Sequence, residues 1–503
     1  MSARTRVVFR WSGVTMALAV FLVLTAVSLA PAFAAGGSLI RISSDPYTNP
    51  TSQHKTQVEP DTFAFGSTIV SAFQSGRFFN GGASNIGFAT SLDGGMTWTH
   101  GFLPSSTVFA KPKGVYDRAS DASVAYDAKH NVWMISWLGI HAPSGFASSV
   151  DVDVSRSTDG GLTWSAPVGV DLRGTTSGEF LDKNWTACDD SPSSPFYGNC
   201  YTEYDDNSQG DLIQMSTSSD GGLTWSAAQA TANGAHGIGG QPVVQPDGRV
   251  VVPIVGLDSP FFAFTISSFI SDDGGASWSA PVLVSEADFH APNGNIRAGI
   301  PLPSAEIDAA GRVYVVWSDC RFESACAVSD MVLSTSNDGL TWSTVKRIPI
   351  NPVGSGQDNF IPGLAVDRST AGKKAHLALA YYYYPNGDCS TSCRLDVGFI
   401  SSTNGGASWS AAKQLAGPMM LSWLANTSQG FMVGDYISTS IAPGNADAAP
   451  VFAVALAPLG VIFHEATYTS PQGVSAIVGG ANTSGATPVA TGPASRSSAP
   501  TAY

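Results

Sequence analysis

The phrases SLDGGMTW (Ser91–Trp98), STDGGLTW (Ser157–Trp164), SSDGGLTW (Ser218–Trp225), SDDGGASW (Ser271–Trp278), SNDGLTW (Ser336–Trp342) and STNGGASW (Ser402–Trp409) decide the fold. Their tryptophans lie 66, 61, 53, 64 and 67 residues apart. A near-constant period of this length marks one supersecondary unit copied round a propeller or along an array. The phrase is a turn with a physical cause. Asp or Asn hydrogen-bonds the backbone just ahead of it, and the Gly pair accepts positive φ. The Trp then opens the next strand and packs beneath the turn.

Outward from each phrase the pattern is alternating and β-rich, broken by Gly, Pro, Asn and Asp. One unit reads cleanly. Ala305–Asp308 is an inner strand, Arg312–Ser318 a second, Asp330–Thr335 a third and Trp342–Arg347 a fourth. Other units align on the turn after the inner strand. Past the sixth phrase, Tyr436–Ile441, Val451–Leu456 and Val461–Thr467 give three more strands, and Leu39–Ser43 can supply the fourth. This count predicts an all-β propeller of seven blades, closed by the N-terminal strand so that no sheet edge is left exposed. Six blades is the rival count, with the terminal strands as a cap.

The phrase resembles the Asp box, S-x-D-x-G-x-x-W, of the sialidase-type (BNR-repeat) β-propellers. The fifth copy is one residue short, and the sixth carries Asn404 in place of Asp. The segments DKNWTA, SPFYGNCY and QGFMVGDY are similar to those of a broad group of secreted bacterial Asp-box proteins. The resemblance spans residues 38–470.

Three features bound the setting. Arg4, Arg6 and Arg10 precede an apolar run and an Ala32-Phe33-Ala34 cleavage pattern, the mark of a secretory signal over residues 1–34. An uncleaved anchor is the rival reading. The protein is therefore expected outside the cell, or periplasmic or attached at the surface, with no membrane span after cleavage. Removing three arginines from 25 basic residues leaves 22 against 39 acidic ones, a balance of −17. With no basic stripe, nucleic acid is excluded as a partner. Residues 471–503 are Gly, Ala, Ser, Thr and Pro with almost no charge and read as a disordered tail.

Six cysteines form three close pairs, Cys188/Cys200, Cys320/Cys326 and Cys389/Cys393. In an exported chain these read as three local disulfides. A metal site is the weaker reading, because the spacings lack a CxxC and no His lies near a pair. No cofactor is called for, and a monomer is expected.

In a four-stranded blade the boxes share one face, and the loops entering the inner strands share the other. A ligand belongs at the second face, round the channel mouth. The inner-strand starts there are polar: Glu59, Asp121, Asp182, Lys183, Gln241, Asp358, Asn359 and Asp435 with Tyr436. Capping and bridging between blades is the competing role for each. Arg77, Arg118 and Arg321 are placed on the same face, with Arg297 in the loop entering the fifth blade and Arg41 in the closing strand. Three arginines can clamp one carboxylate by forked hydrogen bonds. Pairing with neighbours such as Asp117 and Asp319 is the bland alternative. His141 and His290 read as surface residues.

If the resemblance extends to chemistry, it implies an exo-α-sialidase acting on a glycan or glycoconjugate. Such enzymes pair an arginine trio with a Tyr nucleophile, a Glu and an Asp acid/base. On this chain the trio is Arg77, Arg118 and Arg321, the nucleophile Tyr436, its base Glu59 and the acid/base Asp121. Asp182, Lys183 and Asp435 complete the substrate site. The family's Arg-Ile-Pro motif stands here as Arg41-Ile42-Ser43, with Ser43 in the place of the proline. A non-catalytic propeller that binds glycan or protein is the alternative. A third reading is another glycosidase using Asp121 and Asp182.

Overall fold

The structure is a computed structural model. It describes residues 39–475, apart from 176, 261, 262, 444–446 and 472–473, and the strand at 482–483. The proposed signal over residues 1–34 lies outside the described residues.

The architecture is all-β, with helix confined to four single-turn 3-10 segments among the described residues. Each box repeat folds as an antiparallel meander. The inner strands are β1 (Gln57–Phe65), β2 (Arg118–Asp127), β3 (Leu181–Cys188), β4 (Val243–Val244), β5 (Ser304–Ile307), β6 (Asp358–Val366) and β7 (Ser438–Ile441). Each pairs outward with its own following strands, as β5 does with Val313–Asp319, Asp330–Ser336 and Lys346–Arg347. The sheets of β1 and β2 are joined by the single pairing of Ala83 with Ala119. Each inner strand touches the next, and β7 returns to β1, so the inner strands run in a cycle. The outermost partner of the β7 sheet is Ile40–Arg41, which pairs with Thr469 and Tyr468.

Side chains lace the inner strands together. Asp61 Oδ2 accepts the Val124 amide at 2.7 Å, Ser123 Oγ that of Thr186 at 3.0 Å, Gln241 Oε1 that of Ala305 at 2.9 Å and Ser304 Oγ that of Leu364 at 3.0 Å. The bridging role therefore holds for Gln241. The core lies between sheets: Val70, Ile86 and Phe88 meet Val124, Trp133, Ile135 and the box residue Trp164. Trp164 packs on Phe88 of the preceding sheet, and Trp278 on Tyr201 of its predecessor. Box tryptophans thus join neighbouring sheets as well as closing their own turns.

The boxes are the expected turns. Asp93 Oδ1 accepts the Thr97 amide at 2.9 Å, and the Ser91 hydroxyl accepts the Gly95 amide at 2.8 Å. Asn404 serves in the same way, accepting the Ser408 amide at 2.8 Å.

Several expected boundaries shift. The strand expected at Val461–Thr467 is Glu465–Thr469, because Leu459–Ile462 forms a turn with Val461 95% exposed. The strand expected at Trp342–Arg347 shortens to Lys346–Arg347, since Trp342 still belongs to the turn. The chain stays paired beyond 470: Val474–Ser475 pairs with Asp447–Ala448, and Asn482–Thr483 pairs with Ser408–Trp409. Val474 gains burial there.

All three expected cysteine pairs are disulfides, and no cysteine is free. Cys188, at the end of β3, is bonded to Cys200, its direct partner on the neighbouring strand. That bridge staples two paired strands rather than a free loop. Cys320 is bonded to Cys326 across the turn that follows Val313–Asp319, and Cys389 to Cys393 across the turn before Arg394–Ser402.

Candidate functional site

The mouth is built by a repeated backbone device. β1, β2, β3 and β6 each carry a bulge near the start, and the bulged residue is left-handed: Glu59 at φ 57°, Asp121 at 43°, Lys183 at 52° and Ile361 at 53°. Non-glycine residues adopt this conformation only at a cost of about 1–3 kcal/mol each, and such strain gathers at ligand sites. A bulge leaves one residue unpaired and redirects its side chain. β7 is entered through Gly434 at φ 136°, where a Cβ would lie 2.6 Å from Glu59 Cα. Only glycine permits that approach.

Three bulge residues and the β7 entry meet. Lys183 Nζ lies 3.0 Å from Asp121 Oδ1 and 3.5 Å from Glu59 Oε1, and it donates a short hydrogen bond to Asp435. Asp435 also receives Arg297 Nη2 at 2.6 Å, and its amide donates to Glu59 Oε1 at 3.0 Å. Gln74 donates to Glu59 and accepts Arg77 Nη1 at 2.8 Å. Glu59 is fully buried, and Asp121 and Lys183 nearly so.

The charges set each other's state. Burial pushes Glu59 up, and Asp121 adds to the rise. Burial also raises Asp182, opposed by Lys183. For Asp435, burial works upward, but Arg297 and Lys183 hold it well below the usual carboxylate range. Burial would lower Lys183, yet Asp121, Asp435 and Glu59 hold it well above its ordinary value. Burial, with Glu59 and Asp121, keeps Tyr436 protonated far above the usual phenol range.

Two hollows open beside this group. The first, about 410 Å³, is lined by Arg77, Arg118 and Arg297, by Asp121 and Asp182, and by an apolar wall that includes Leu138, Ile140 and Phe180. The second, about 340 Å³, shares Asp182 and Arg297 with the first and adds Lys183 and Asp435. Among the described residues, no group of three or more His, Cys, Asp or Glu is arranged to hold a metal ion.

The expected site residues distribute as follows. Glu59, Asp121, Lys183 and Asp435 come together, with Asp182 on the wall between the hollows. Tyr436 lies beneath Lys183, edge-on to Trp185 at 5.1 Å, and its hydroxyl donates to the Ala122 carbonyl at 3.1 Å. Neither Tyr436 nor Glu59 lines a hollow. Arg118 lines the first hollow but spends its guanidinium on Asn80, Gly81 O and Gly145 O. Its loop partner is thus not Asp117, which accepts the Ala142 amide. Arg321 is not brought to the group: it is held by Asp319 at 2.7 and 2.8 Å and lines neither hollow. Arg297 stands there instead. His141 is buried rather than on the surface, because it ends a strand and packs on Tyr116 at 4.8 Å. Asp358 and Asn359 tie down the 329 loop, Asp358 accepting and Asn359 donating. The disulfide residues Cys188, Cys200, Cys320, Cys326, Cys389 and Cys393 line neither of these two hollows, and the bridges hold strands and loops.

Residues 147–362 match the family described as the BNR repeat-like domain. Over that stretch the chain is similar to BNR repeat-like domains. Among solved structures, it is similar to a Hadza microbial sialidase at 16% identity and a TM-score of 0.44, covering 83% of this chain and 65% of that one. It therefore spans slightly under two thirds of that sialidase. A mutant of the NanB sialidase from Streptococcus pneumoniae gives 15% identity and a TM-score of 0.39, covering 81% and 68%. An ulvan lyase of a polysaccharide lyase family gives 9% and 0.49, covering 87% and 97%. No curated protein matches the chain.

Proposed function

We propose that this Asp-box protein is an exported, sialidase-like glycoside hydrolase that releases a terminal sialic acid from glycans. We take it as a seven-bladed propeller closed by Ile40–Arg41. The cycle of seven inner strands supports this count, and three disulfides fit an oxidising compartment. The observation that carries the function is the lining of the first hollow. Three arginines and two aspartates face one cavity of about 410 Å³. That surplus of positive charge suits one carboxylate gripped by forked donors.

In this reading Arg77, Arg118 and Arg297 hold the sugar carboxylate, Arg118 giving up part of its contact with Asn80, Gly81 O and Gly145 O and Arg297 part of its pairing with Asp435. Asp121, on the same wall, passes to the departing aglycone oxygen a proton drawn from the Lys183 ammonium 3.0 Å away. Tyr436 Oη bonds the anomeric carbon while Glu59 takes the phenolic proton; Asp121 then takes a proton from water, which attacks the anomeric carbon as Tyr436 leaves with the proton returned by Glu59. A neutral tyrosine is suited to this task because a carboxylate nucleophile would be repelled by the substrate's own carboxylate. Tyr436 must first leave the Ala122 carbonyl.

A second reading, a propeller that binds glycans without turnover, draws on the same cluster. Lys183 already neutralises Asp121 and Asp435, and Tyr436 is held protonated. Hydrolysis of 4-methylumbelliferyl α-sialoside separates the two. The hydrolase reading expects turnover that falls by about 100-fold or more in Asp121→Asn and Tyr436→Phe. It also expects KM to rise about tenfold in Arg297→Ala, about 1.4 kcal/mol. Folded protein without turnover selects the binding reading.

A further inference from the structure

We propose that the second hollow is an aliphatic subsite, which takes the alkyl or acyl part of a glycoside whose sugar occupies the first hollow. The pairing of the two hollows rests on the hydrolase reading above; the subsite itself does not. Asp182 and Arg297 line both hollows, so the two cavities lie against one shared partition. A substrate that crosses this partition leaves its sugar among the arginines and its aglycone in the second cavity. That cavity, about 340 Å³, has a wall of Ile238, Pro292, Ile296, Ile300 and Leu302. A volume of this size lies at the small end for ligand pockets and suits a short chain. That wall rewards apolar surface removed from water, while Asn295, Gln429 and the charged Asp182, Lys183, Arg297 and Asp435 form the polar part of the lining.

The wall is built rather than loose. Most of it is one segment, residues 291–302, entered from a loop anchored to both small disulfide loops. Cys320 donates its amide to the Asp288 carbonyl at 2.7 Å. Asn293 Nδ2 donates to the Gly387 carbonyl at 2.7 Å, and Tyr384 Oη donates to the Asn293 carbonyl at 3.1 Å. At Gly294 a Cβ would lie 2.8 Å from Cys393 Sγ, so the segment is pressed onto the Cys389–Cys393 loop. Arg297 and Phe431 then exchange with the neighbouring hairpin: the Arg297 amide donates to Phe431 O at 2.7 Å, and the Phe431 amide to Asn295 O at 2.8 Å. A preformed apolar wall spares the ligand the cost of ordering it.

The test is calorimetric titration of the intact protein with methyl, butyl, hexyl and octyl β-D-glucosides below their micelle concentrations. These carry no carboxylate, so they need no arginine clamp. The subsite expects affinity to rise with chain length, by up to about fourfold per methylene. The rise should flatten in Ile300→Asp and in Leu302→Trp, which fills the cavity without adding charge. It should persist in Leu162→Asp, a control in a box. No gain with chain length, or the same gain in Ile300→Asp and Leu302→Trp as in the parent, overturns the subsite. Alkyl α-sialosides separate the two proposals. Turnover without a chain-length gain would sink the subsite and keep the hydrolase. A chain-length gain among the glucosides, with no sialoside turned over, would do the reverse.

Discussion

At the scale of single residues, Lys183 is the centre of the mouth. It is a buried ammonium facing Asp121, Asp435 and Glu59, so removing it strands carboxylates in a dry site. Breaking a buried ion group from one side costs about 3–5 kcal/mol. Lys183→Met is expected to lower the urea midpoint accordingly, and adding Asp121→Asn to restore part of the loss. An unchanged midpoint would mean that water reaches the cluster. Much of this cluster was legible before any coordinates. Asp121, Lys183 and Asp435 share one register relative to the turn that follows, and a repeat fold brings equal registers to one ring. Arg297 and Gln74 were not legible as partners. Arg297 stands in a long loop with no repeat to align it, and Gln74 is one of several polar residues in its strand, Thr68–Arg77. Arg321 misled because a face can be read from strand order, whereas the direction of a side chain held by Asp319 cannot.

At the scale of elements, the Asp box explains its own tolerance. The hydroxyl and amide of Thr97 hold the Asp93 carboxyl down to about 2. In Asp159, burial works upward, but the hydroxyl and amide of Thr163 bring it to about 2. An amide oxygen does the same work at Asn404. Asp159→Asn should therefore cost well under half of Asp159→Ala, itself about 1 kcal/mol because the turn is solvent-exposed. Chemical denaturation of the pair measures this, and equal losses would show that charge, not acceptor geometry, holds the turn. The boxes made the sheets legible because their turn chemistry is local. The left-handed bulges at Glu59, Asp121 and Lys183 were hidden: no sequence rule marks a glutamate or lysine for positive φ, aspartate's mild preference for it does not single out Asp121, and the strain is held by long-range contacts.

At the scale of the whole molecule, buried carboxylates set an acid-leaning stability. Burial pushes Asp61, Asp153, Asp190 and Asp358 up to about 7. A carboxyl raised on folding contributes stability that is full below its unfolded value near 4 and lost as pH rises towards 7. Asp93 and Asp159, held near 2, act oppositely, and their share is lost as pH falls from about 4 to 2. The thermal midpoint should thus be higher at pH 5 than at pH 8, and should drop again towards pH 2. A midpoint rising from pH 5 to 8 would contradict these burial effects. The cycle of inner strands also gathers the first hollow from parts of the chain as far apart as Arg77, Arg118, Asp182, Arg297 and Ser428, which is why its lining depends on distant strands keeping their places. The most direct measurement is calorimetric titration with N-acetylneuraminic acid and with its methyl ester, which lacks the charge. Tighter binding of the acid by about tenfold or more, with the difference erased in Arg297→Ala, is the expected result. Equal binding of acid and ester, or a difference that survives Arg297→Ala and Arg77→Ala, would contradict the arginine clamp and with it the assignment of the mouth to an acidic sugar.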